Sequence, residues 1–462
     1  MKKGEHVIVD IEGLTPRGDG RGTVDGRELV VPRSVPGDRA EVFVSRKRKG
    51  RFEGVVDDLI HPGIERRDPP CSHFGLCGGC RWQDFEYSKQ LALKESMVRD
   101  AFERHGVAVR GWHGIAASPQ VYNYRNKMEF SFGSDRDGKP LLGLHVRERY
   151  NRVFDLEACH LQSETSNRIV DSVRTRATKM GLPVYDLRSH EGLLRFLVIR
   201  DAKATAQVMV NLVVSSYPHD DVDQLMAGVL DEVGDEITTA IITRHSGKAQ
   251  VAIGEEEFMV KGEGMITEIC NGLEFQISSQ SFFQTNTWAA EKLYARVTEL
   301  AGDLSEAEVL DLYSGTGGMS LHLARAAHSV VGVEQVAETV RDARGNAQRN
   351  AIGNCTFLAD QAEETLRELA DGDESNNFDV VVLDPPRAGV HKKALQELIH
   401  LGPPTIVYVS CNPETLADDL ADLVEGGYQV EEVQPFDLFP HTPHCEAVTR
   451  LRRGSAWRGK VD

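Results

Sequence analysis

After residue 280 the sequence alternates between short apolar strands and amphipathic helices, and this alternation restricts the fold more than any other feature. Each of the four strand-like runs ends in small, acidic or proline residues: VLDLYSGTGG, SVVGVEQ, FDVVVLDPPRAG and TIVYVSCNP. Stretches with helical periodicity, such as WAAEKLYARVTEL and AETVRDARGNAQRN, lie between or beside them. Strands that alternate with helices indicate a parallel, doubly wound α/β sheet. We therefore predict a Rossmann-like domain over residues 266–462.

The first 65 residues have a different pattern. Short alternating strands are separated by glycine-bearing turns, as in HVIVDIEGL and GRGTVDGRELVV, and this pattern indicates a small OB-like β-barrel over residues 1–65. Residues 1–67 carry a net charge of +2, whereas the whole chain carries −18. The basic run SRKRKGR, Ser45–Arg51, lies in this segment. It is either a surface that contacts nucleic-acid phosphates or a solvated hairpin tip, and both interpretations stay open.

Residues 66–265 are predicted to form an α+β domain. A proline-containing connector leads into three closely spaced cysteines in RRDPPCSHFGLCGGC. A helix is predicted over 88–106, where it could pack on the catalytic domain, and others near 163–181 and 219–233. The rest of the segment from 120 to 265 has strand-like alternation.

The composition is that of a globular protein, with 40% hydrophobic and 27% charged residues. No apolar run approaches the ~18 residues that a membrane span needs. We expect a cytoplasmic protein with no membrane partner, in which the eight cysteines are metal ligands, catalytic groups or packing residues rather than disulfides.

The glycine-rich stretch DLYSGTGG, Asp311–Gly318, follows a predicted strand and opens a predicted helix. Glycines at such a turn let the backbone approach a ligand closely. Glu334 ends the next strand, where an acidic side chain typically hydrogen-bonds ribose hydroxyls. Nicotinamide and S-adenosylmethionine (SAM) binders share this layout, but the G-x-G-G spacing is not that of a dinucleotide fingerprint.

The run VVVLDPPRAG favours a methyltransferase. Asp384, Pro385 and Pro386 place one carboxylate and a stiff loop at the end of a strand, over the expected ligand crevice. Methyltransferases that act on planar bases commonly have such a loop. Arg387 either contacts a phosphate or pairs with an acidic neighbour.

Cys411 stands at the exit of an apolar strand, two residues before Pro413, which prevents further pairing. Methylation of an exocyclic amine needs no enzyme nucleophile, whereas C5 of uracil is poorly nucleophilic. A thiolate that adds to C6 creates an enolate whose C5 can accept a methyl group. A second group must then remove the C5 proton, and the candidates in FPHTPHCEAVTRLRR are His441, His444 and Glu446. Cys270 and Cys355 lack such a setting and are interpreted as packing residues.

Together these motifs resemble the SAM-dependent RNA uracil-5 methyltransferases, in the branch with an N-terminal TRAM barrel and an iron–sulfur cluster. The resemblance covers essentially the whole chain through motifs in the same order: CSHFGLCGGC, ACHLQ, SFFQTN, DLYSGTGG, VVGVE, LDPPRAG, VSCNP and FPHTPHCE. It implies that Cys411 is the nucleophile and Glu446 the base. The residues that it implies to contact SAM are Gln284, Tyr313, Glu334 and Asp384. The residues that it implies to hold a [4Fe-4S] cluster are Cys71, Cys77, Cys80 and Cys159. From spacing alone, four such thiolates suit zinc or an iron–sulfur cluster equally.

Three places differ from the usual pattern of the family. Cys445 replaces a branched apolar residue, Gly318 replaces a residue that is often Asn, and Asp418 and Asp419 add negative charge after the nucleophile.

The resemblance implies an enzyme that makes 5-methyluridine in 23S ribosomal RNA, acting as a monomer. The alternatives are the same chemistry in the T loop of tRNA, or an RNA-binding assembly factor with a degenerate methyltransferase fold. A nicotinamide-dependent oxidoreductase is disfavoured by the DPPR loop and the thiol at the strand end.

Overall fold

The computed structural model describes residues 1–48, 50–370 and 378–454; of Arg48 it describes only the backbone. The chain divides into two compact units. The first unit comprises Met1–Ser72, Cys80–Ser118 and Pro385–Asp462, and the second comprises His73–Gly79 and Pro119–Asp384. The predicted domain boundaries near residues 65 and 265 stay a prediction.

The N-terminal segment of the first unit forms one six-stranded sheet. Its strands are β1 His6–Asp10, β2 Gly13–Leu14, β3 Gly20–Val24, β4 Arg27–Val31, β5 Arg39–Arg48 and β6 Arg51–His61. They run in the order β1-β5-β6-β4-β3-β2, antiparallel except where β4 pairs with β6. Alternate residues bury one face around a core that includes Val9, Leu29, Val42 and Phe52. Each such side chain stabilises the sheet by about 1.5–3 kcal/mol when it is fully buried.

The predicted helix over 88–106 is present as α1, Tyr87–Arg104, and β7, Val109–Trp112, follows it in the first unit. Gly106, in the left-handed region at φ +68°, lies just beyond the helix end. Sequence reasoning missed β7, a short strand that pairs in parallel with a strand more than 300 residues later, Tyr428–Phe436.

A mixed sheet forms the middle of the second unit. Its strands and their neighbours are β8 Lys127–Ser134, β9 Pro140–Gly143, β10 His145–Val146, β11 Arg149–Val153, β12 Leu194–Asp201, β13 Val208–Val214, β14 Thr239–Arg244 and β15 Glu256–Lys261. Six of them run in the order β15-β14-β13-β12-β8-β9, while β10 and β11 form a separate hairpin. Helices α2 Glu164–Met180 and α3 Asp220–Val233 confirm the two helices predicted here, and a 3₁₀ turn, Gly234–Glu236, follows α3.

The predicted alternation after residue 280 is confirmed in the rest of the second unit. The elements are β16 Met265–Cys270, β17 Leu273–Ser278, α4 Thr287–Ala301, β18 Glu308–Leu312, α5 Gly318–Ala324, β19 Ser329–Glu334, α6 Ala337–Arg349, β20 Cys355–Ala359, α7 Ala362–Ala370 and β21 Val380–Leu383. Strands β20, β19, β18 and β21 lie side by side in that order, and all are parallel. β16 and β17 form an antiparallel hairpin.

The C-terminal part of the first unit completes the fold. It consists of α8 Lys392–Leu401, β22 Thr405–Ser410, α9 Pro413–Glu425, β23 Tyr428–Phe436 and β24 Glu446–Arg453. β24 lies between β22 and β23 and is antiparallel to both. None of the helices in the described ranges has the length and apolar composition of a membrane span.

Candidate active site

Cys411 occupies the junction between β22 and α9. All six residues of β22 are buried. The strand stops because Pro413, which has no N–H to pair, forms the first residue of α9. Asn412 caps this helix, since its Oδ1 accepts a hydrogen bond from the N–H of Glu414 at 3.3 Å. The half-buried thiol therefore stands beside a helix N-terminus, a setting that favours the thiolate.

The acidic residues after the nucleophile are engaged elsewhere. Asp419 is buried, and its Oδ2 accepts hydrogen bonds from the hydroxyl of Tyr408 at 2.6 Å and the N–H of Val390 at 2.9 Å. Burial raises the pKa of Asp419, against the opposing effect of these hydrogen bonds. Asp418 pairs with Lys392 at 3.0 Å. Each carboxyl group thus has its own partner: neutral hydrogen-bond donors for Asp419 and a cation for Asp418.

The register of β22 and β24 brings Glu446 and Cys411 to the same end of one strand pair. Ser410 pairs with Ala447, and the antiparallel register is unbroken from Thr405 onward. Cys411 directly follows Ser410, and Glu446 directly precedes Ala447, so the two residues lie at the same end of this strand pair. Glu446 is 4% exposed, so the first unit has a thiol and a buried carboxyl group next to one and the same strand pair.

The other candidate bases have different surroundings. His441 is buried, with its Nδ1 3.1 Å from Nε2 of Gln90. His444 is exposed. The β22–β24 register favours Glu446 over both.

The rival thiols outside the CSHFGLCGGC and ACHLQ motifs are poorly suited to nucleophilic attack. Burial raises the pKa of Cys445 to about 12 and that of Cys355 to about 12. Burial also raises the pKa of Cys270, which is fully enclosed. These shifts agree with a packing role for Cys270 and Cys355.

Three of the predicted SAM contacts stand in one row in the second unit. Leu312 pairs with both Val333 and Leu383. One step further along these parallel strands, Tyr313, Glu334 and Asp384 lie side by side at the carboxyl edge of β18, β19 and β21. Ligands of open α/β sheets bind at this edge.

The glycine loop, residues 311–318, is hydrogen-bonded to Glu334 of this row. The N–H of Gly315 donates to Glu334 Oε2 at 3.3 Å, and the N–H of Val336 donates to Oε1 at 2.9 Å. Both carboxylate oxygens retain lone pairs for a ribose hydroxyl. Burial raises the pKa of Asp384 to about 7. Tyr313 (φ +68°) and Gly317 (φ +85°) adopt the left-handed conformation that turns this loop toward α5.

Gln284, the fourth predicted contact, lies in a segment that the middle sheet holds in place. Asn126 donates through Nδ2 to the Gln284 carbonyl at 2.8 Å. Arg200 is buried at the end of β12 and donates to the Ser279 carbonyl at 3.0 Å. The hydroxyl of Thr316, in the glycine loop, donates to the Phe282 carbonyl at 3.2 Å. The second unit therefore brings the Gln284 segment to the glycine loop.

Sequence reasoning did not single out Asp311, the first residue of the glycine motif. Its side chain is fully buried on β18 and accepts a hydrogen bond from Ser320. Burial raises the pKa of Asp311 to about 7, and the negative charges of Asp384 and Glu334 add to the effect. The sequence did contain a signal for Asp311, which is an acidic residue inside the apolar run VLDL. Such a residue is rarely buried without a specific role.

The four cysteines predicted to bind a cluster are split between the units, and none of them forms a disulfide. In the first unit, Gln83 accepts from the N–H of Cys71 at 3.1 Å and directs its Nε2 at Cys80 Sγ at 3.8 Å. In the second unit, the N–H of Gly79 donates to Cys77 Sγ at 3.3 Å, and Cys159 is buried.

Donation of N–H groups to sulfur suits thiolate ligands of zinc or iron. Across the ranges that the structure describes, however, no group of three or more His, Cys, Asp or Glu side chains could hold a metal ion. The cluster stays a prediction.

The basic run lies at the tip of the β5–β6 hairpin. Arg46 Nε is 2.8 Å from Glu53 Oε2, and Arg51 Nε is 3.2 Å from Glu28 Oε1. Lys49 is outside the described residues. Both interpretations of the run remain open, because exposed ion pairs of this kind contribute little and exchange readily with other anions.

Comparisons with known proteins identify the family of the chain. Residues 86–454 match the family model described as tRNA (uracil-5-)-methyltransferase. An "uncharacterized RNA methyltransferase" of Caldanaerobacter subterraneus subsp. tengcongensis is 38% identical over 98% of this chain and 100% of its own length. Another from Chlorobaculum tepidum is 36% identical over 93% of this chain and 92% of its own.

A solved structure extends the similarity to the fold. The Pyrococcus abyssi tRNA (uracil-54, C5)-methyltransferase in complex with S-adenosyl-L-homocysteine is 28% identical, with a TM-score of 0.74. The match covers 96% of this chain and 100% of that one. The chain therefore belongs to the tRNA (uracil-5-)-methyltransferase family and is a SAM-dependent RNA (uracil-5-)-methyltransferase.

Proposed function

We propose that the protein methylates C5 of a specific uridine in RNA through a covalent intermediate on Cys411, with Glu446 as the base. The observation that carries this proposal is the β22–β24 register: a thiol beside a helix N-terminus and a buried carboxyl group both adjoin the Ser410–Ala447 pair. An RNA-binding factor without activity would have no need of this pair.

The roles follow from the chemistry of uracil. The Cys411 thiolate adds to C6, forming a C–S bond and moving the C5–C6 electron pair toward O4 as an enolate. When bound, SAM would supply the methyl group that C5 takes up, and the electron pair of its sulfur–methyl bond would stay on sulfur, leaving S-adenosyl-L-homocysteine. Glu446 then removes the C5 proton, and the released electron pair restores the C5–C6 double bond as the C–S bond breaks. The thiolate is regenerated, so the cycle needs no oxidant or reductant.

We propose that Gln284, Tyr313, Glu334 and Asp384 hold SAM. The support is their position around the glycine loop: three lie in one row, and the Gln284 segment is hydrogen-bonded to the same loop. Glu334 has the position expected for binding the ribose hydroxyls. Arg387 would contact an RNA phosphate or pair with an acidic neighbour.

For the RNA substrate we propose 23S ribosomal RNA, on the resemblance to the branch with a TRAM barrel and an iron–sulfur cluster. One observation favours tRNA as a second candidate. A solved structure that matches almost the whole chain is a tRNA (uracil-54, C5)-methyltransferase, so this architecture also occurs with a tRNA substrate.

The remaining parts of the proposal concern the N-terminal sheet and the cysteines. The N-terminal sheet would act as a TRAM barrel that binds RNA, and Cys71, Cys77, Cys80 and Cys159 would hold a [4Fe-4S] cluster. The support is the local positive charge of the first segment and the sulfur-directed N–H groups beside Cys77 and Cys80. The cluster has no step in the reaction. We further propose that the protein acts as a monomer in the cytoplasm.

The test uses the purified full-length protein, labelled SAM and either total ribosomal RNA or total tRNA. We expect label at C5 of one or a few uridines in 23S RNA, and the methylated nucleotide is mapped by nuclease digestion and mass spectrometry. Label in tRNA alone would select the second candidate. RNA carrying 5-fluorouridine at the mapped site should become trapped on the peptide VSCNPETL, because fluorine cannot leave as a proton. An adduct that persists in Cys411→Ala and disappears in Cys445→Ala would contradict the assignment of the nucleophile.

A further inference from the structure

One face of α1 is attached to the loop that leads into Glu446. Tyr87, Gln90 and Lys94 are spaced three and four residues apart, so they share a helix face. The loop comprises residues 437–445, between β23 and β24. We propose that these three are positioning residues, which hold the loop so that Glu446 meets the C5 proton. This inference rests on the proposed function of Cys411 and Glu446.

The first attachment is a buried ion pair. The side chains of Lys94 and Asp437 are both 0% exposed, with Nζ 2.5 Å from Oδ1. Lys94 Nζ also donates to the Phe439 carbonyl at 2.9 Å, and the Tyr87 hydroxyl donates to Asp437 Oδ2 at 2.8 Å. The N–H of Phe439 donates to Asp437 Oδ1 at 3.0 Å. The start of the loop is thus held by four directional contacts.

A buried ion pair contributes little net stability to the folded state. Both charges lose their hydration, and an apolar pair of similar volume often stabilises a protein equally well. The pair does select one conformation of the loop, because Lys94 can donate to both Asp437 and the Phe439 carbonyl only when the loop is arranged in this way. We therefore assign the pair to the conformation of the loop rather than to overall stability.

The second attachment holds the middle of the loop. Gln90 accepts from the N–H of His441 at 2.8 Å, and its Nε2 is 3.1 Å from His441 Nδ1. The His441 carbonyl accepts from the N–H groups of Arg81 at 2.8 Å and Trp82 at 3.1 Å. His441 has φ +68°, a conformation that residues other than glycine disfavour. Such a conformation persists only when its surroundings hold it, as they do here.

The two catalytic groups depend on different supports. Cys411 is held by buried β22 and the capped end of α9. Glu446 is the first residue of β24 and directly follows the loop, whose ends meet where Phe436 pairs with Glu446. Loosening the loop should therefore displace Glu446 and leave Cys411 in place. Proton removal should slow, while attack on C6 and methyl transfer should not.

The experiment separates these steps with Gln90→Met, which keeps the side-chain volume and removes both contacts to His441. On RNA with ordinary uridine, we expect turnover to fall about 10- to 100-fold and a covalent RNA adduct to accumulate, because the base is misplaced. On RNA with 5-fluorouridine, trapping should keep the wild-type rate, because it precedes proton removal. Tyr87→Phe, which loses one hydroxyl group, should change the adduct fraction in the same direction and serves if Gln90→Met does not fold.

Leu93→Ala is the matched control. Leu93 is buried next to Lys94 on α1 and packs in the apolar cluster that contains Trp82 and Met97. The cavity should lower the unfolding temperature without raising the adduct fraction. If trapping and turnover fall together in Gln90→Met, or if Leu93→Ala accumulates the same adduct, α1 only supports folding and the inference is wrong. If the wild-type protein forms no adduct with 5-fluorouridine RNA, the catalytic assignment itself is wrong.

Discussion

Replacing Asp311 by Asn should stabilise the protein, and the gain should grow as the pH rises. The carboxyl group is 0% exposed, and its pKa rises from an ordinary value of 3.8 to about 7 because burial disfavours the charge. Below pH 3.8 both the folded and the unfolded chain bind the proton, so stability is unaffected. Between pH 3.8 and 7 the unfolded chain releases the proton while the folded chain retains it. The folded state therefore loses stability as the pH rises through this window, and the loss is complete above pH 7.

The size of the pKa shift of Asp311 gives the loss in the free energy of unfolding. One pKa unit corresponds to ~1.4 kcal/mol. The Asp311 carboxyl group therefore lowers the free energy of unfolding by about 2 kcal/mol at pH 5 and by about 4 kcal/mol at pH 8. Asparagine has no charge to bury, and its Oδ1 can still accept the Ser320 hydroxyl hydrogen bond. The unfolding midpoint of Asp311→Asn should exceed that of the wild type, by a margin that increases from pH 5 to pH 8. Thermal scans without SAM, at several pH values and constant ionic strength, measure it.

Asp303→Asn provides the matched control for this measurement. Asp303 lies at the surface of the same unit, and hydrogen bonds from Ser305 lower its pKa from 3.8. Its stabilising contribution is present above pH 3.8 and is lost only as the pH falls further, so its effect should not change between pH 5 and pH 8. A margin for Asp311→Asn that is constant or shrinks with rising pH would refute the reasoning, because it would mean that the folded chain accommodates the Asp311 charge.

Three further predictions concern the proposed function. Glu446→Gln should accumulate a covalent adduct with ordinary uridine RNA and lose about 10²- to 10⁴-fold in turnover, because attack on C6 proceeds while proton removal stalls. Denaturing gels measure the adduct and methyl transfer measures the turnover. Unchanged turnover would exclude Glu446 as the base. Protein purified without oxygen should be brown and contain iron, and Cys80→Ala should bleach it, whereas a colourless, zinc-loaded and fully active wild type would contradict the [4Fe-4S] assignment. Deletion of residues 1–60 should weaken RNA binding and flatten its salt dependence, because fewer counterions are released. If the salt dependence of RNA affinity is unchanged, SRKRKGR is a solvated hairpin tip.

Sequence reasoning succeeded where the relevant physics is local. The predicted α1, α2 and α3 appear within a few residues of their expected bounds, because apolar periodicity and end signals act within a few turns. The exit of β22 at Cys411 was predictable for the same reason, since Pro413 ends pairing whatever surrounds it. Glu334 and Asp384 were likewise predicted as acidic side chains at strand ends, whereas Tyr313 was expected only from the family resemblance.

Tertiary structure decided what depends on distant partners. The sequence left His441, His444 and Glu446 as candidate bases on chemical grounds, and the β22–β24 register added that Cys411 and Glu446 adjoin the same pair, Ser410 and Ala447. Likewise, β7 has no strong strand signal of its own and exists because β23 offers an edge to pair with. The buried Lys94–Asp437 pair and the raised pKa of Asp311 come from burial, which arises only when the surrounding elements exclude water. The sequence by itself thus determined which chemical groups stand at strand ends, and packing decided which of them meet and in what state of charge.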